Sequence, residues 1–157
     1  MPHRDAKTDL RKAIFGPTLI SKCFQETAMT REIIPEGYGS ITPYFTVPDA
    51  DAFIKFAKTV FGAKVIKDDR YETGRIQHAR LCVGTSILML NEANEDYPAN
   101  TSQMHLYVDD ADSCCKAALA AGATSLMAPN TRPHGDRMAG IKDPSGNVWW
   151  LATPKTV

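Results

Sequence analysis

The chain has 157 residues, with 18 basic and 18 acidic side chains and a formal net charge of zero. That balance gives no electrostatic basis for holding nucleic acid or an anionic membrane surface. A hydrophobic fraction of 43% excludes general disorder, and no run approaches the roughly 18 apolar residues of a membrane helix. The length fits one domain, or two small ones sharing a core. Cys23, Cys82, Cys114 and Cys115 show no C-x-x-C spacing, so they read as reduced thiols of a cytoplasmic protein.

Residues 1–37 read as an N-terminal extension. They contain one short apolar cluster, AIFGPTLI, broken by Gly16 and Pro17. A secretory signal needs a longer apolar centre, and Asp5 and Asp9 argue against an acid-poor transit peptide. Met29 stands just before the domain-like part, which is expected over residues 38–157. No chemistry is assigned to the extension.

From there the chain repeats itself. Tyr44–Asp51 reads YFTVPDAD and His105–Asp112 reads HLYVDDAD, an offset of 61. FGAKV and AGATS follow at an offset of 60. The spacing predicts module one over about 38–92 and module two over about 102–154. In module one, Ile41–Val47 is a strand that stops at Pro48, and Asp49 is a helix N-cap. Phe53, Phe56, Ala57 and Val60 share a helical face, and Gly62 ends the helix. Strands follow at Lys64–Lys67, Arg75–Val83 and Ser86–Asn91, the last two joined at Gly84-Thr85. In module two the strand Met104–Val108, the cap Asp110 and the stop Gly122 precede strands at Ser125–Met127, Met138–Lys142 and Val148–Thr153, with DPSGN as a turn. The fold class is α+β: paired βαβββ modules whose curved sheets can form a cavity.

The segments ITPYFTVPDADAFIKFAKTVFGAKV, RIQHARLCVGTSILML, MHLYVDDAD and GDRMAGIKDPSGNVWWLAT resemble the vicinal oxygen chelate superfamily of glyoxalase I, bleomycin-resistance proteins and extradiol dioxygenases. The PhnB-like branch is the nearest in appearance. The resemblance implies paired βαβββ modules, a cavity and a homodimer. In metal-dependent members, His, Glu or Gln ligands come from the first and last strands of each module. Carried over, those positions fall on Thr42, on Leu88 or Met89, on Gln103 and on Trp150. A catalytic zinc or iron wants about three donors from His, Cys, Asp or Glu, and this set offers only the Gln103 amide. No cofactor is therefore expected, and a divalent metal is disfavoured.

Alternation along Ile76–Val83 puts Gln77, Ala79, Leu81 and Val83 against the helices and turns His78, Arg80 and Cys82 to the cavity. Arg80 needs a carboxylate, a ligand anion or water; Glu92 and Asp136 are candidate partners, and a bound carboxylate or phosphate is the functional alternative. Gln103, His105 and Tyr107 share a face that the resemblance turns inward, and His78 with His105 are candidates for an acid–base pair. His134, Asp136 and Arg137 lie in a rim loop. Trp149 is expected against the helix and Trp150 in the cavity, with Tyr44 as the aromatic of the first strand. The candidate ligand-binding set is Thr42, Tyr44, His78, Arg80, Met89, Gln103, His105, Tyr107, Arg137 and Trp150. No G-x-G-x-x-G, P-loop, G-x-S-x-G or H-E-x-x-H occurs.

Three functions follow as expectations. The first is a small-molecule binding protein that lacks the usual metal ligands, sequesters a drug or metabolite, and takes a planar or anionic ligand. The second is an enzyme of the same superfamily, a metal-dependent or His-based lyase, isomerase or dioxygenase. The third is an interaction protein with a vestigial cavity. Neither nucleic acid nor membrane is expected as a partner.

Overall fold

The computed structural model describes residues 33–35 and 37–155. Cys23 and nearly all of the expected extension lie outside the described residues. Gly37–Val157 forms one compact unit, and the architecture below belongs to it.

The element order is β1 (Tyr44–Val47), α1 (Ala50–Phe61), β2 (Lys64–Arg70), β3 (Ile76–Val83), β4 (Ser86–Glu92), β5 (Gln103–Tyr107), α2 (Ala111–Ala120), β6 (Thr124–Thr131), β7 (Arg137–Lys142) and β8 (Val148–Thr153). These make two four-stranded sheets, ordered β1-β4-β3-β2 and β5-β8-β7-β6. Each helix carries the chain across its sheet, so the first strand of each module runs parallel to the last. The remaining neighbours are antiparallel hairpin partners. The repeat in the sequence is thus a repeat of the βαβββ fold.

Local chemistry explains the helix ends. Asp49 is extended and its carboxylate accepts from the Ala52 amide at 2.8 Å. Asp110 does the same for Asp112 and Ser113 in α2. Each satisfies first-turn amides that have no partner inside the helix. Gly62 closes α1 at φ 65°, a conformation that costs an L side chain about 1 kcal/mol or more. An arginine then clamps the first-turn aspartate of each helix, Arg70 on Asp51 and Arg137 on Asp112, both at 2.7 Å.

One face of each sheet is buried against the helices. Phe45, Val47, Leu81, Leu90, Ile141 and Leu151 are buried there with Phe53, Phe56 and Ala57 of α1 and Cys115 and Ala118 of α2. Trp149, 2% exposed, joins the two modules: its ring stacks on Phe45 (5.7 Å between centroids, 16° between planes) and lies 4.6 Å from Phe61. Its indole N–H donates to the buried Asp143 carboxylate at 2.9 Å.

The structure moves several boundaries. β1 begins at Tyr44, leaving Thr42 ahead of the strand. β2 and β6 run longer than the sequence predicts. A bulge in β3 lies between the pairs Asp69–His78 and Arg70–Ile76. The extra residue breaks strict alternation: Ile76 is fully buried, while Gln77, expected against the helices, is exposed. Gly122 has φ 97°, with Ala121 as the capping residue before it.

Candidate functional site

Because the helices cover one face of each sheet, the opposite faces carry the polar and aromatic candidates. On the first sheet the pairings Tyr44–Met89–Arg80 and Thr46–Asn91 set adjacent rungs. Arg80 stands in register with Lys67, and His78 with Asp69. Leu88 is buried on the helix side, so of the two alternatives for the last-strand position Met89 occupies the open face.

Three of these side chains form a hydrogen-bonded row. The Tyr44 hydroxyl lies 3.3 Å from His78 Nδ1, and Arg80 Nε donates to His78 Nε2 at 3.3 Å. The Arg80 guanidinium carbon sits 6.0 Å from the centre of the Tyr38 ring, the outer limit of a cation–π contact. Burial, and then the Arg80 charge, hold the His78 pKa below that of free imidazole. Burial is also the main cause that raises the Tyr44 pKa. Beside the row, Thr46 Oγ1 donates to Asn91 Oδ1 at 2.9 Å.

The second sheet repeats the positions with different chemistry. Gln103, His105 and Tyr107 project from the open side of β5, and His105 is in register with Trp150. The His105 and Tyr107 rings meet edge to face at 4.8 Å. Trp150 Nε1 donates to Gln103 Oε1 at 3.2 Å. The Trp150 ring lies across Gly140, where a Cβ would stand 2.6 Å from its Cζ3 atom.

Eight of the ten sequence candidates therefore gather on two open sheet faces: Tyr44, His78, Arg80 and Met89 on one, Gln103, His105, Tyr107 and Trp150 on the other. Two fall elsewhere. Thr42 Oγ1 donates to the Gly39 carbonyl at 3.5 Å. Arg137 is engaged by Asp112 at the start of α2, with both carboxylate oxygens at 2.7 Å. The suggested carboxylate partners of Arg80 are also taken: Glu92 holds Arg75, while Asp136 faces His134 and accepts from the Lys155 amide.

Two clefts of about 510 and about 520 Å³ lie along the seam between the modules. The first is walled by Ile41, Leu88, Met104 and Trp149, the second by Phe61, Val108, Cys114 and Asp110. Of the ten candidates, His105 lines one and Tyr107 the other, so these recesses are more apolar than the faces beside them.

The family's metal positions do not supply a donor set. Trp150 and Met89 bring no hard donor, Thr42 lies outside the strand, and the Gln103 amide oxygen already accepts from Trp150. Among the described residues no group of three or more His, Cys, Asp or Glu side chains is arranged around a common point. His78 and His105 stand on separate sheets, and each contacts neighbours on its own sheet. Gly140 and Lys67 are members of these faces that sequence reasoning missed. The strand register, once known, would have placed both.

Comparison with known proteins agrees with this architecture. The model of the Glyoxalase/Bleomycin resistance protein/Dioxygenase superfamily matches residues 38–151. The uncharacterized protein Rv0887c of Mycobacterium tuberculosis is 29% identical over 153 residues, spanning 90% of this chain and 88% of its own. Among solved structures, TioX from Micromonospora sp. ML1 is 25% identical with a TM-score of 0.62, covering 73% of this chain and 98% of TioX. TnmS3, an antibiotic binding protein from Streptomyces sp. CB03234, is 24% identical with a TM-score of 0.56 over 74% of this chain and 98% of its own.

Proposed function

The chain belongs to the glyoxalase/bleomycin resistance protein/dioxygenase superfamily, and on that premise we propose that it binds and sequesters a small planar or anionic molecule, such as a drug or metabolite, without using a metal. One observation carries the reading: the open sheet faces bear aromatic plates and oriented polar groups (Trp150, Tyr44, His78, Arg80), while of the family's ligand positions only Gln103 offers a donor, its amide oxygen already engaged by Trp150. Binding then rests on preformed shape and a few placed polar groups. TnmS3 is a precedent for antibiotic binding on this fold.

We further propose a homodimer in which the open faces of one protomer are covered by its partner. Tyr44 and Tyr107, 48% and 64% exposed, leave aromatic surface on both faces of the single chain, and such surface is a usual component of interfaces. The motifs of the sequence favour the PhnB-like branch. The free thiols of Cys82, Cys114 and Cys115 accord with a cytoplasmic protein. Among the described residues no helix is long and apolar enough to cross a membrane.

The test is a thermal-shift screen of the full chain against charged and uncharged planar compounds, with product analysis by mass spectrometry and mass by light scattering. A ligand at about a hundredfold excess over its Kd adds about 2.7 kcal/mol of stability. Saturable stabilisation with the compound recovered unchanged supports sequestration. Turnover, or stabilisation only after zinc, nickel, manganese or iron(II) is added, overturns it in favour of the enzyme reading.

A further inference from the structure

The row Tyr44–His78–Arg80 has a chemical polarity that its hydrogen bonds dictate. An arginine Nε–H can only donate. Its contact with His78 Nε2 at 3.3 Å therefore requires that nitrogen to carry a lone pair. A neutral imidazole then bears its proton on Nδ1, and Nδ1–H donates to the Tyr44 oxygen 3.3 Å away. The Tyr44 hydroxyl proton is left to point elsewhere. The lowered His78 pKa, caused first by burial and then by Arg80, keeps the ring in this neutral form. His78 thus spends both nitrogens on its neighbours.

What remains facing outward is a set of donors. Arg80 has its Nε engaged and its terminal nitrogens without a carboxylate partner among the described residues. The charge around it has one sign in excess. The register puts Lys64 beside Cys82, Lys67 beside Arg80 and Asp69 beside His78. Three cations on this face thus stand against one carboxylate, which Lys67 already holds at 2.5 Å. The whole chain is neutral, so this excess is local. A guanidinium fork flanked by a hydroxyl donor matches a planar or tetrahedral oxyanion, which accepts two parallel bonds.

We infer that Tyr44, His78 and Arg80 form an anion clamp, in which Arg80 and Tyr44 grip a carboxylate or phosphate group of the ligand and His78 is the positioning residue that aims both. This rests on the small-molecule reading above and narrows it to ligands that carry an oxyanion.

The experiment titrates the full chain with benzoate, phenyl phosphate and benzamide, followed by calorimetry and by the Nε–H resonances of ¹⁵N-labelled arginine. Benzoate or phenyl phosphate should bind saturably and shift the Arg80 resonance; the stronger of the two distinguishes a carboxylate from a phosphate ligand. Benzamide, of similar shape but uncharged, should bind at least tenfold more weakly. Arg80→Gln should weaken the anions tenfold or more and leave benzamide unchanged. Arg80→Lys, which keeps the charge but loses the fork, should fall between, and it tests the same point if Arg80→Gln fails to fold. Long-range ¹H–¹⁵N spectra should show His78 protonated on Nδ1 only. Equal binding of benzamide and benzoate, indifference to Arg80→Gln, a proton on His78 Nε2, or no binding of either anion up to about 10 mM overturns the clamp. An uncharged ligand found in the broader screen, insensitive to Arg80→Gln, would overturn the clamp and leave the binding function standing.

Discussion

Gly140→Ala should move one side chain of the candidate site and little else. The glycine has no need of a left-handed backbone; it is small because the Trp150 ring lies on it. An added Cβ would meet Cζ3 of that ring at 2.6 Å and Cε3 at 3.0 Å, with Met127 Cβ at 3.3 Å on the other side. Carbon atoms rest at about 3.5–4.0 Å, so the ring must shift by about 1 Å. That displacement breaks the 3.2 Å bond from Trp150 Nε1 to Gln103. The lost bond costs about 0.5–1.5 kcal/mol, at the low end because the half-buried N–H finds water. Replacing a strand glycine by alanine returns about 0.5–1 kcal/mol. The two nearly cancel, so urea denaturation should show stability within about 1 kcal/mol of the parent. The indole N–H resonances give an internal control. Trp150 should shift and exchange faster with solvent, whereas Trp149, bonded to the buried Asp143, should not move. A planar ligand seated on Trp150 should bind about tenfold more weakly, a loss of about 1.4 kcal/mol. An unchanged Trp150 resonance would refute the packing argument, and so would a loss above about 3 kcal/mol with Trp149 disturbed as well.

Asp143→Ala strips partners from the buried indole N–H of Trp149 and from the Asn147 amide and side chain. At about 1–3 kcal/mol for each of three orphaned donors, urea melts should show a loss of about 3 kcal/mol or more, with Asp143→Asn retaining part of the stability; a cost below about 1 kcal/mol contradicts the bonding described. His78 has a lowered pKa, so the unfolded chain binds its proton more readily, and stability should decline as pH falls below 6.5. The denaturation midpoint measured between pH 7.5 and pH 5 should show that decline, and His78→Asn should flatten it. Burial pushes the Cys114 thiol up to about 11. At pH 8 only about 0.1% is thiolate, so maleimide labelling of Cys114 should be slow in the native protein, rise about tenfold per pH unit, and become fast on unfolding.

The architecture was legible because two sequence features repeat at nearly one interval. The Val-x-Asp turns place a helix cap after each first strand, and the glycine after each helix marks its exit. Alternation puts Trp149 and Trp150 on opposite faces, and in the structure Trp149 is buried while Trp150 is half-buried, although the alternation ends at Leu151 and Ala152, both buried. Alternation failed at Gln77, where the extra residue of a bulge left no mark in composition. Partners were harder to read than faces. Arg137 looked like a rim residue and is instead the clamp of a helix start, because the loop before β7 brings it beside Asp112, 25 residues earlier in the chain. Gly140 carried no local signal, since its small size answers to a ring on the neighbouring strand.

The two modules share a backbone plan, and their open faces have diverged within it. Tyr44 corresponds to His105, Thr46 to Tyr107 and Met89 to Trp150 at the offset of 61. On the first face these positions adjoin His78, Arg80 and Lys67, which are donors and cations. On the second they build an aromatic surface, with Trp150 on Gly140 and His105 against Tyr107. The cations stand on the first face, and the second offers aromatic surface with no cation among these positions. The repeat lets the two specialise separately, since the helix-side core that stabilises each sheet is unaffected by what its other face presents. A divalent metal held at the family's positions would constrain both faces at once. Met89 and Trp150 stand at those positions, and under the proposed function they contact the ligand instead.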